Sequence, residues 1–314
     1  MLSHDQGLIR DVTILIPVLN EEKSIGLVID ELLSIGIQRD NILVVDGGSV
    51  DKTAEIARSR GVRVIPQEGQ GKAMAIATGL KHVNTPYVLV MDGDYTYPAT
   101  YIPRLLSLAK SRNCDLVIGV RLYGKESQRL IFKLGNKILA FIFNLLFGVR
   151  IRDVLSGMYL ARLDKLQDVG FEMKGFSVEA EIVSHFASLG NVCEEPIEYR
   201  PRIDPLLKKL RVIHGFYIAR DMLRLTWRYN PAFLIFAIGS LLTIPGLALG
   251  SWVLYRYLKF GFVHHIRGLA AITITGIGLL SLILAVQSIY IKRLEQRLHR
   301  KLEQMASLIR EKSK

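Results

Sequence analysis

Two long runs without a charged side chain lie near the C-terminal end of the chain, and they constrain its fold more than any other feature. The first run covers residues 229–255 and the second covers residues 268–291. A membrane-spanning helix needs roughly 20 apolar residues, so each run is long enough to cross a bilayer. Because the connector, residues 256–267, is short, we predict a transmembrane hairpin formed by residues 230–291.

Basic residues crowd the outer flanks of this hairpin. They are Arg220, Arg224 and Arg228 before it and Lys292, Arg293, Arg297, Arg300 and Lys301 after it. The connector holds Arg256, Lys259 and Arg267. Since cytoplasmic loops carry an excess of Lys and Arg, this distribution predicts a multi-pass membrane protein with two spans, both termini in the cytoplasm. The N-terminal domain is then cytoplasmic too.

Three further segments have mixed apolar and basic composition. Residues 206–229 combine Arg and Lys with aromatic and aliphatic side chains, which predicts a juxtamembrane helix lying on the membrane surface. Residues 131–149 fit either a buried helix pair or a second interfacial helix. The tail, residues 292–314, predicts a basic helix on the cytoplasmic side, and its apolar face fits a coiled coil or a membrane-lying helix.

The net charge is strongly positive. Lys and Arg number 41 against 29 Asp and Glu, which leaves a formal charge of +12. Such a balance suits an anionic partner: nucleic acid, an acidic membrane surface or a phosphorylated substrate. The basic residues cluster around the two spans rather than among stacking aromatics, which favours the lipid bilayer over nucleic acid.

The chain has two cysteines, Cys114 and Cys193. They form no Cys-x-x-Cys pair, and two cysteines cannot build a disulfide framework. The sequence therefore predicts two free, buried thiols in a reducing compartment. Residues 1–20 lack a basic segment followed by an apolar core, so no cleaved signal peptide is expected.

Short β-branched runs alternate with helical patterns from residue 12 to residue 92. The strand-like runs are 12–17, 41–46, 62–66 and 87–92, and the helix-like segments are 20–35, 51–60 and 71–83. Strands that are apolar throughout predict a mostly parallel α/β sheet with helices on both faces, in a domain of residues 1–205. Ligands of such sheets bind at the carboxyl edge, where Asn20, Asp46 and Asp92 stand.

The turn Asp92-Gly93-Asp94 follows one of these strands. Two carboxylates on such a turn can bind a hard divalent cation, and the ion can then bridge to a diphosphate. An EF-hand does not fit, because Tyr97 stands where its loop needs glycine.

Two glycine-containing turns follow other strands. In Asp46-Gly-Gly48-Ser, the glycines allow close approach of a ligand, and Asp46 can accept hydrogen bonds from a nucleobase. The segment that ends in Gly71-Lys72 is not a P-loop, because Ala73 replaces the required Ser or Thr.

The motifs are more specific as a set. Pro17-Val-Leu-Asn20-Glu-Glu22, Asp46-Gly-Gly48-Ser, Gly71-Lys72-Ala and Asp92-Gly-Asp94 follow successive strands. In this order they resemble family 2 glycosyltransferases of the GT-A fold. Asp153-Val-Leu-Ser156-Gly and the acidic segment with Glu179 and Glu181 resemble later segments of the same family. Arg202 with Lys209-Leu resembles the Arg…Lys-Leu motif of dolichyl-phosphate mannose synthases. The resemblance covers residues 12–210.

The resemblance implies a role for each matching position. The nucleotide-sugar-binding residues would be Pro17, Asn20, Glu22, Asp46, Gly48, Lys72 and Asp92. A Mg²⁺ or Mn²⁺ ion would be held by Asp92 and Asp94. The acceptor phosphate would be bound by Arg121, Arg129, Ser156, Arg202 and Lys209. The catalytic residues would be Asp94, Arg121, Arg202 and Lys209.

The same resemblance predicts inverting transfer of one hexose from a UDP- or GDP-sugar to a dolichyl or polyprenyl phosphate. Mannose synthases of this type carry Gln at the position of Thr96 and Asp at that of Gly47, so glucose and N-acetylglucosamine stay open beside mannose. One alternative is a transferase that extends a glycan at a sugar hydroxyl, with Glu179 or Glu181 as base. Another is a basic, non-enzymatic membrane-surface protein. A homo-oligomer is left open.

Overall fold

The computed structural model of the chain describes residues 9–123, 130–172, 178–203 and 212–312. It divides into two compact units, the first ending at Leu225 and the second beginning at Thr226. The predicted boundary at residue 205 falls in a segment outside the described ranges, so it stays a prediction.

The N-terminal unit is built on a seven-stranded sheet of order β3-β2-β1-β4-β6-β5-β7. The strands are β1 Val12–Val18, β2 Ile42–Asp46, β3 Arg63–Pro66, β4 Tyr87–Val90, β5 Leu116–Tyr123, β6 Tyr159–Arg162 and β7 Val192–Tyr199. Strand β6 runs antiparallel to β4 and β5, and the other pairs are parallel. The prediction of a mostly parallel sheet is therefore confirmed.

Helices connect these strands. In this unit they are α1 Ile25–Ser34, α2 Thr53–Ser59, α3 Lys72–Leu80, α4 Ile102–Ser111, α5 Leu130–Phe147, α6 Leu163–Gln167 and α7 Val178–Leu189. Helix α8, Val212–Tyr229, continues into the second unit. A helix is thus present over most of the predicted juxtamembrane segment, residues 206–229, and its position on a membrane surface stays a prediction.

Helices cover both faces of the sheet. On one face, Ile16 of β1 and Ile29 of α1 belong to the same hydrophobic cluster. On the other face, α3 packs so closely that a Cβ at Gly79 would lie 2.4 Å from Leu15 Cδ1. This double burial explains why the central strands are apolar throughout.

The prediction of two free thiols is wrong, because Cys114 and Cys193 form a disulfide. Cys114 lies just before β5, and Cys193 lies in β7, where it pairs with Val117. Because β5 pairs with β7 in parallel, the Cα atoms of the two cysteines lie 6.0 Å apart although the residues are 79 positions apart in the sequence. The spacing of the cysteines in the sequence does not indicate this strand pairing.

Helix α5 combines the two alternatives that its sequence left open. Phe143 is fully buried and Leu139 nearly so, and this face joins the core. On the opposite face, the side chains of Leu134 and Phe141 are more than half exposed. An exposed apolar stripe of this kind is typical of a surface that meets a membrane or another protein.

The second unit is an antiparallel helical hairpin of α9, Pro231–Phe260, and α10, His265–Lys312. Both helices are long and apolar enough to cross a membrane. Their outer surfaces are apolar and exposed, as at Leu241 (73%) and Ile266 (86%), which suits contact with lipid. The predicted tail helix is not separate, because it continues α10 to Lys312.

Small residues bring α9 and α10 into close contact. A Cβ at Gly246 would lie 2.8 Å from the backbone nitrogen of Thr275, and one at Gly278 would lie 2.6 Å from that of Thr243. Such contacts are typical of membrane helix pairs, where packing replaces the hydrophobic effect.

Gly278→Ala is expected to destabilise the hairpin by about 1–3 kcal/mol, because backbone atoms of the facing helix cannot yield to the new methyl group. The measurement is the midpoint of heat-induced loss of helical circular dichroism in detergent. Gly276→Ala is the matched control, since a Cβ there meets nothing within 4 Å. Equal midpoints for the two variants would contradict this packing.

Candidate active site

The acidic turn at residues 92–94 follows β4 and lies against β1. A Cβ at Gly93 would come within 2.7 Å of Val18 Cγ1, so glycine is required for this close approach. The next residue, Tyr95, has φ +64°, a conformation that is unfavourable for a bulky residue. Its ring packs under the guanidinium of Arg200, 4.6 Å from the ring centroid. This packing holds the turn in one strained conformation at the carboxyl edge of the sheet.

The two oxygens of Asp94 have different partners. Oδ1 accepts hydrogen bonds from the backbone N–H of Thr96 at 3.1 Å and from its hydroxyl at 2.6 Å. Oδ2 lies 3.0 Å from a guanidinium nitrogen of Arg202. Burial raises the pKa of Asp94, the neighbouring Asp92 raises it further, and Arg202 opposes both. Thr96 therefore fixes the orientation of a carboxylate whose other oxygen faces a cation.

Arg202 also binds Glu21, whose Oε1 lies 2.9 Å from the same guanidinium nitrogen. Sequence analysis selected the adjacent Glu22 instead. In the structure Glu22 accepts the backbone N–H of Lys52 at 3.1 Å. Glu21, rather than Glu22, is thus linked to the acidic turn through Arg202. The sequence alone does not show which of two adjacent glutamates makes this contact.

Lys72 joins two carboxylates from distant parts of the chain. Its Nζ lies 2.5 Å from Asp92 Oδ1 and 2.5 Å from Glu179 Oε1. Burial alone would lower the pKa of Lys72, but the two carboxylates raise it well above its ordinary value. Lys72 therefore stays protonated. From the first turn of α3, its ammonium group fixes the position of the Asp92 carboxylate.

Asp92 is also confined by the segment before β6. A Cβ at Gly157 would lie 2.1 Å from Asp92 Oδ2, so a side chain there would displace the carboxylate. The backbone N–H of Gly157 donates to the hydroxyl of the buried Tyr97 at 2.7 Å. Sequence analysis missed both contacts, although the Ser-Gly pair and the Tyr next to a Pro were visible.

The loops after β1 and β2 bind each other. Asn20, at φ +56°, accepts the backbone N–H of Val50 at 2.9 Å through its carboxamide oxygen. Asp46 accepts the hydroxyl of Ser49 at 2.6 Å, and Gly48 between them has φ +84°. Polar residues 20–24 form this loop, and α1 therefore begins at residue 25, later than predicted. Pro17 lies in β1, opposite Val45.

The predicted acceptor-phosphate residues are not all together. Arg121 makes a two-pronged ion pair with Asp153, both distances being 2.7 Å. The buried hydroxyl of Ser156 donates to the carbonyl of Gly119 at 2.6 Å. Arg129 and Lys209 lie outside the described residues. The phosphate-binding roles of these four residues stay predictions.

A pocket of about 190 Å³ opens beside Asp94. Its lining residues are Asn20, Glu21, Glu22, Lys23, Ser24, Asp51, Asp94 and Arg202. Two of the seven residues predicted to bind the nucleotide sugar, Asn20 and Glu22, therefore line the same cavity as Asp94 and Arg202.

The charge of the cluster suits a divalent cation. Its carboxylates are those of Asp92, Asp94, Glu21 and Glu179, and its cations are Lys72 and Arg202. These six groups leave two negative charges, and carboxylate oxygens are the ligands that Mg²⁺ and Mn²⁺ prefer. Within the described ranges, no group of three or more His, Cys, Asp or Glu side chains could hold such an ion by itself.

Comparison with known proteins agrees with this arrangement. Residues 13–170 match the family described as glycosyl transferase family 2. The glycosyltransferase AglJ of Haloferax volcanii is 32% identical over 300 residues, which cover 91% of this chain and 97% of AglJ. The dolichyl-phosphate hexose transferase of the same organism is 36% identical over 195 residues, covering 61% of this chain and 84% of that protein.

Solved structures share the fold at lower sequence identity. Glucosyl-3-phosphoglycerate synthase from Mycobacterium tuberculosis, crystallised with Mn²⁺, UDP-glucose and phosphoglyceric acid, superposes with a TM-score of 0.58 at 22% identity. The match covers 73% of this chain and 83% of that one. Family match, relatives and sheet topology agree, and the chain therefore belongs to glycosyl transferase family 2, as a glycosyltransferase with a GT-A catalytic domain.

Proposed function

We propose that this enzyme transfers a single hexose from a UDP- or GDP-sugar to a polyprenyl phosphate of the dolichyl type, with inversion at the anomeric carbon. The hexose would be mannose, glucose or N-acetylglucosamine. The observation that carries the proposal is the state of the two glutamates that could serve as a base.

Both glutamates are already engaged. Glu179 is buried and holds Lys72 at 2.5 Å, and Glu181 is fully buried and accepts the backbone N–H of Glu172 at 3.0 Å. A sugar hydroxyl acceptor needs a base within hydrogen-bond reach to remove its proton. A phosphate monoester is ionised near neutral pH and needs none. The site therefore suits a phosphate acceptor better than a hydroxyl.

The relatives and the hairpin support the same acceptor. One relative carries the name dolichyl-phosphate hexose transferase. A polyprenyl phosphate is anchored in the bilayer, and the two apolar helices would hold the enzyme at that bilayer.

Asp92 and Asp94 would hold a divalent metal, with the donor diphosphate completing its ligands. When bound, the metal would neutralise charge on the leaving nucleoside diphosphate. Lys72 holds Asp92 in place, and Thr96 orients Asp94. Arg202 lies beside Asp94, where a guanidinium can bind a phosphate through two nitrogens. The chain would thus act mainly by positioning and by charge.

The direct test offers purified enzyme a panel of UDP- and GDP-sugars with Mg²⁺ or Mn²⁺ and either a polyprenyl phosphate or a lipid-linked sugar that has free hydroxyls. We expect one hexose added to the polyprenyl phosphate, detected by mass. Product with the hydroxyl acceptor alone would replace the proposal by the glycan-extending alternative. Hydrolysis of the donor without either product would be consistent with a glycosyltransferase but would contradict the proposed acceptor.

The proposed topology places both termini and the catalytic domain in the cytoplasm. A cysteine introduced by Phe262→Cys should react with an impermeant maleimide added to intact cells, and one introduced by Ser307→Cys should not. Both variants also carry Cys114→Ser and Cys193→Ser, so that only the introduced thiol can be labelled. Labelling of Ser307→Cys but not of Phe262→Cys would show that the topology is the opposite of the one proposed.

A further inference from the structure

The turn of the hairpin carries a cluster of cations without a carboxylate. Arg256 and Lys259 lie near the end of α9, and Arg267 lies near the start of α10. Residues 222–294 contain no Asp or Glu. The next acid, Glu295, is 28 residues beyond Arg267, about 42 Å along a helix. No acidic side chain of the hairpin can therefore neutralise this charge.

Aromatic rings take the place of anionic partners. The guanidinium carbon of Arg256 lies 5.8 Å from the ring centre of Trp252 and 5.1 Å from that of Phe260. Arg267 lies 5.2 Å from Trp252, and the ring of His264 stacks on the same indole at 5.3 Å. Such contacts hold guanidinium groups in fixed positions but leave their N–H groups able to donate.

Two nitrogen atoms of this cluster are buried without a hydrogen-bond partner in the described structure. They are Nε of Arg256 and Nε2 of His264. A buried polar atom left unpaired costs about 1–3 kcal/mol, so the cluster is short of acceptors. The exposed side chains of Lys259 and Arg267 are the ones that an acceptor from another molecule can reach directly.

We propose that the hairpin tip, formed by Trp252, Arg256, Lys259, His264 and Arg267, binds the phosphate of an anionic membrane lipid. Arg256 lies 25 residues after the start of α9, about 38 Å along the helix, whereas the hydrocarbon core is about 30 Å thick. The cluster would thus lie at the depth of the lipid headgroups, at the turn that joins α9 to α10. A phosphodiester there meets several fixed donors.

The ordinary alternative is an aromatic and basic belt that anchors any helix at the interface. A belt of loosely held side chains favours anionic lipid through all its charges alike, whereas a phosphate site depends on the arginines that the rings hold in place. Each Lys or Arg near the surface adds up to about 1 kcal/mol toward anionic lipid. At roughly half that value each, or about twofold, two arginines and a lysine together give a preference on the order of 10-fold.

The chain permits a local test, because one of its two tryptophans, Trp252, lies in the tip and the other, Trp227, lies in α8 before the hairpin begins. Trp227→Phe leaves Trp252 as the reporter in the tip. The full-length variant is reconstituted into phosphatidylcholine vesicles that contain brominated phosphatidylglycerol or brominated phosphatidylcholine, and quenching of the indole is compared. We expect about 10-fold preference for the anionic lipid at Trp252. The preference should fall to about twofold or less when Arg256→Gln and Arg267→Gln are added.

Two controls separate the site from general surface attraction. Trp252→Phe leaves Trp227 as the reporter, and whatever preference it shows should not change with Arg256→Gln and Arg267→Gln. Arg293→Gln, at the other end of the hairpin, should leave the preference at Trp252 unchanged. Equal quenching by the two lipids in the Trp227→Phe protein overturns the proposal. This comparison keeps every tip residue, so it does not depend on whether the tip variants fold. A preference that survives loss of both arginines overturns it as well. Neither result bears on the sugar-transfer reaction.

Discussion

Replacing Asp94 with asparagine is expected to lower the rate of sugar transfer by about 1000-fold or more. Asn keeps the size of the side chain, and its oxygen can still accept from Thr96. It removes the negative charge that faces Arg202 and one of the two carboxylates proposed to hold the metal. Loss of metal-based stabilisation of the leaving diphosphate is worth several kcal/mol.

The measurement is the transfer rate in detergent at saturating donor, together with Mn²⁺ binding followed by electron paramagnetic resonance with nucleoside diphosphate present. Both should fall in Asp94→Asn. The control is Asp30→Asn, which removes an exposed carboxylate paired with Arg60 and should change neither. Wild-type activity in Asp94→Asn, or in the wild type with excess chelator, would remove the metal from the mechanism.

Replacing Arg202 with lysine is expected to lower the transfer rate by about 100-fold, although the charge is kept. In the structure one guanidinium nitrogen of Arg202 contacts both Glu21 and Asp94. The planar guanidinium could keep such contacts while its other nitrogens bind a phosphate. An ammonium group offers a single charged centre and lacks this fork.

The assay is run in detergent, where attraction to a charged membrane surface does not contribute. Donor binding is measured separately by calorimetry. Arg60→Lys is the matched control, because Arg60 makes a two-pronged ion pair with the exposed Asp30 and has no contact with the acidic turn among the described residues. A transfer rate for Arg202→Lys close to that of Arg60→Lys would show that Arg202 does not bind a reacting phosphate. Loss of transfer with donor binding retained would support the acceptor role.

Local chemistry determined several features from the sequence alone. Apolar runs bounded by polar turns predicted β1, β2 and β4, because strands buried on both faces cannot carry charge. Runs of more than 20 uncharged residues predicted the two long helices, since a bilayer sets their length. The Asp-Gly-Asp turn was recognisable because its carboxylates are adjacent in the chain. In each case the pattern and its cause lie within one short segment.

Other features depend on pairings between distant segments, which only the tertiary structure decides. The contact of Lys72 with Glu179 spans 107 residues, and that of Arg202 with Glu21 spans 181. Antiparallel insertion of β6 brings Gly157 against Asp92, and pairing of β5 with β7 forms the disulfide. The sequence contains the groups that make these contacts. Which groups meet is set by strand order, because a carboxylate takes its partner from whatever side chain the sheet places within about 3 Å.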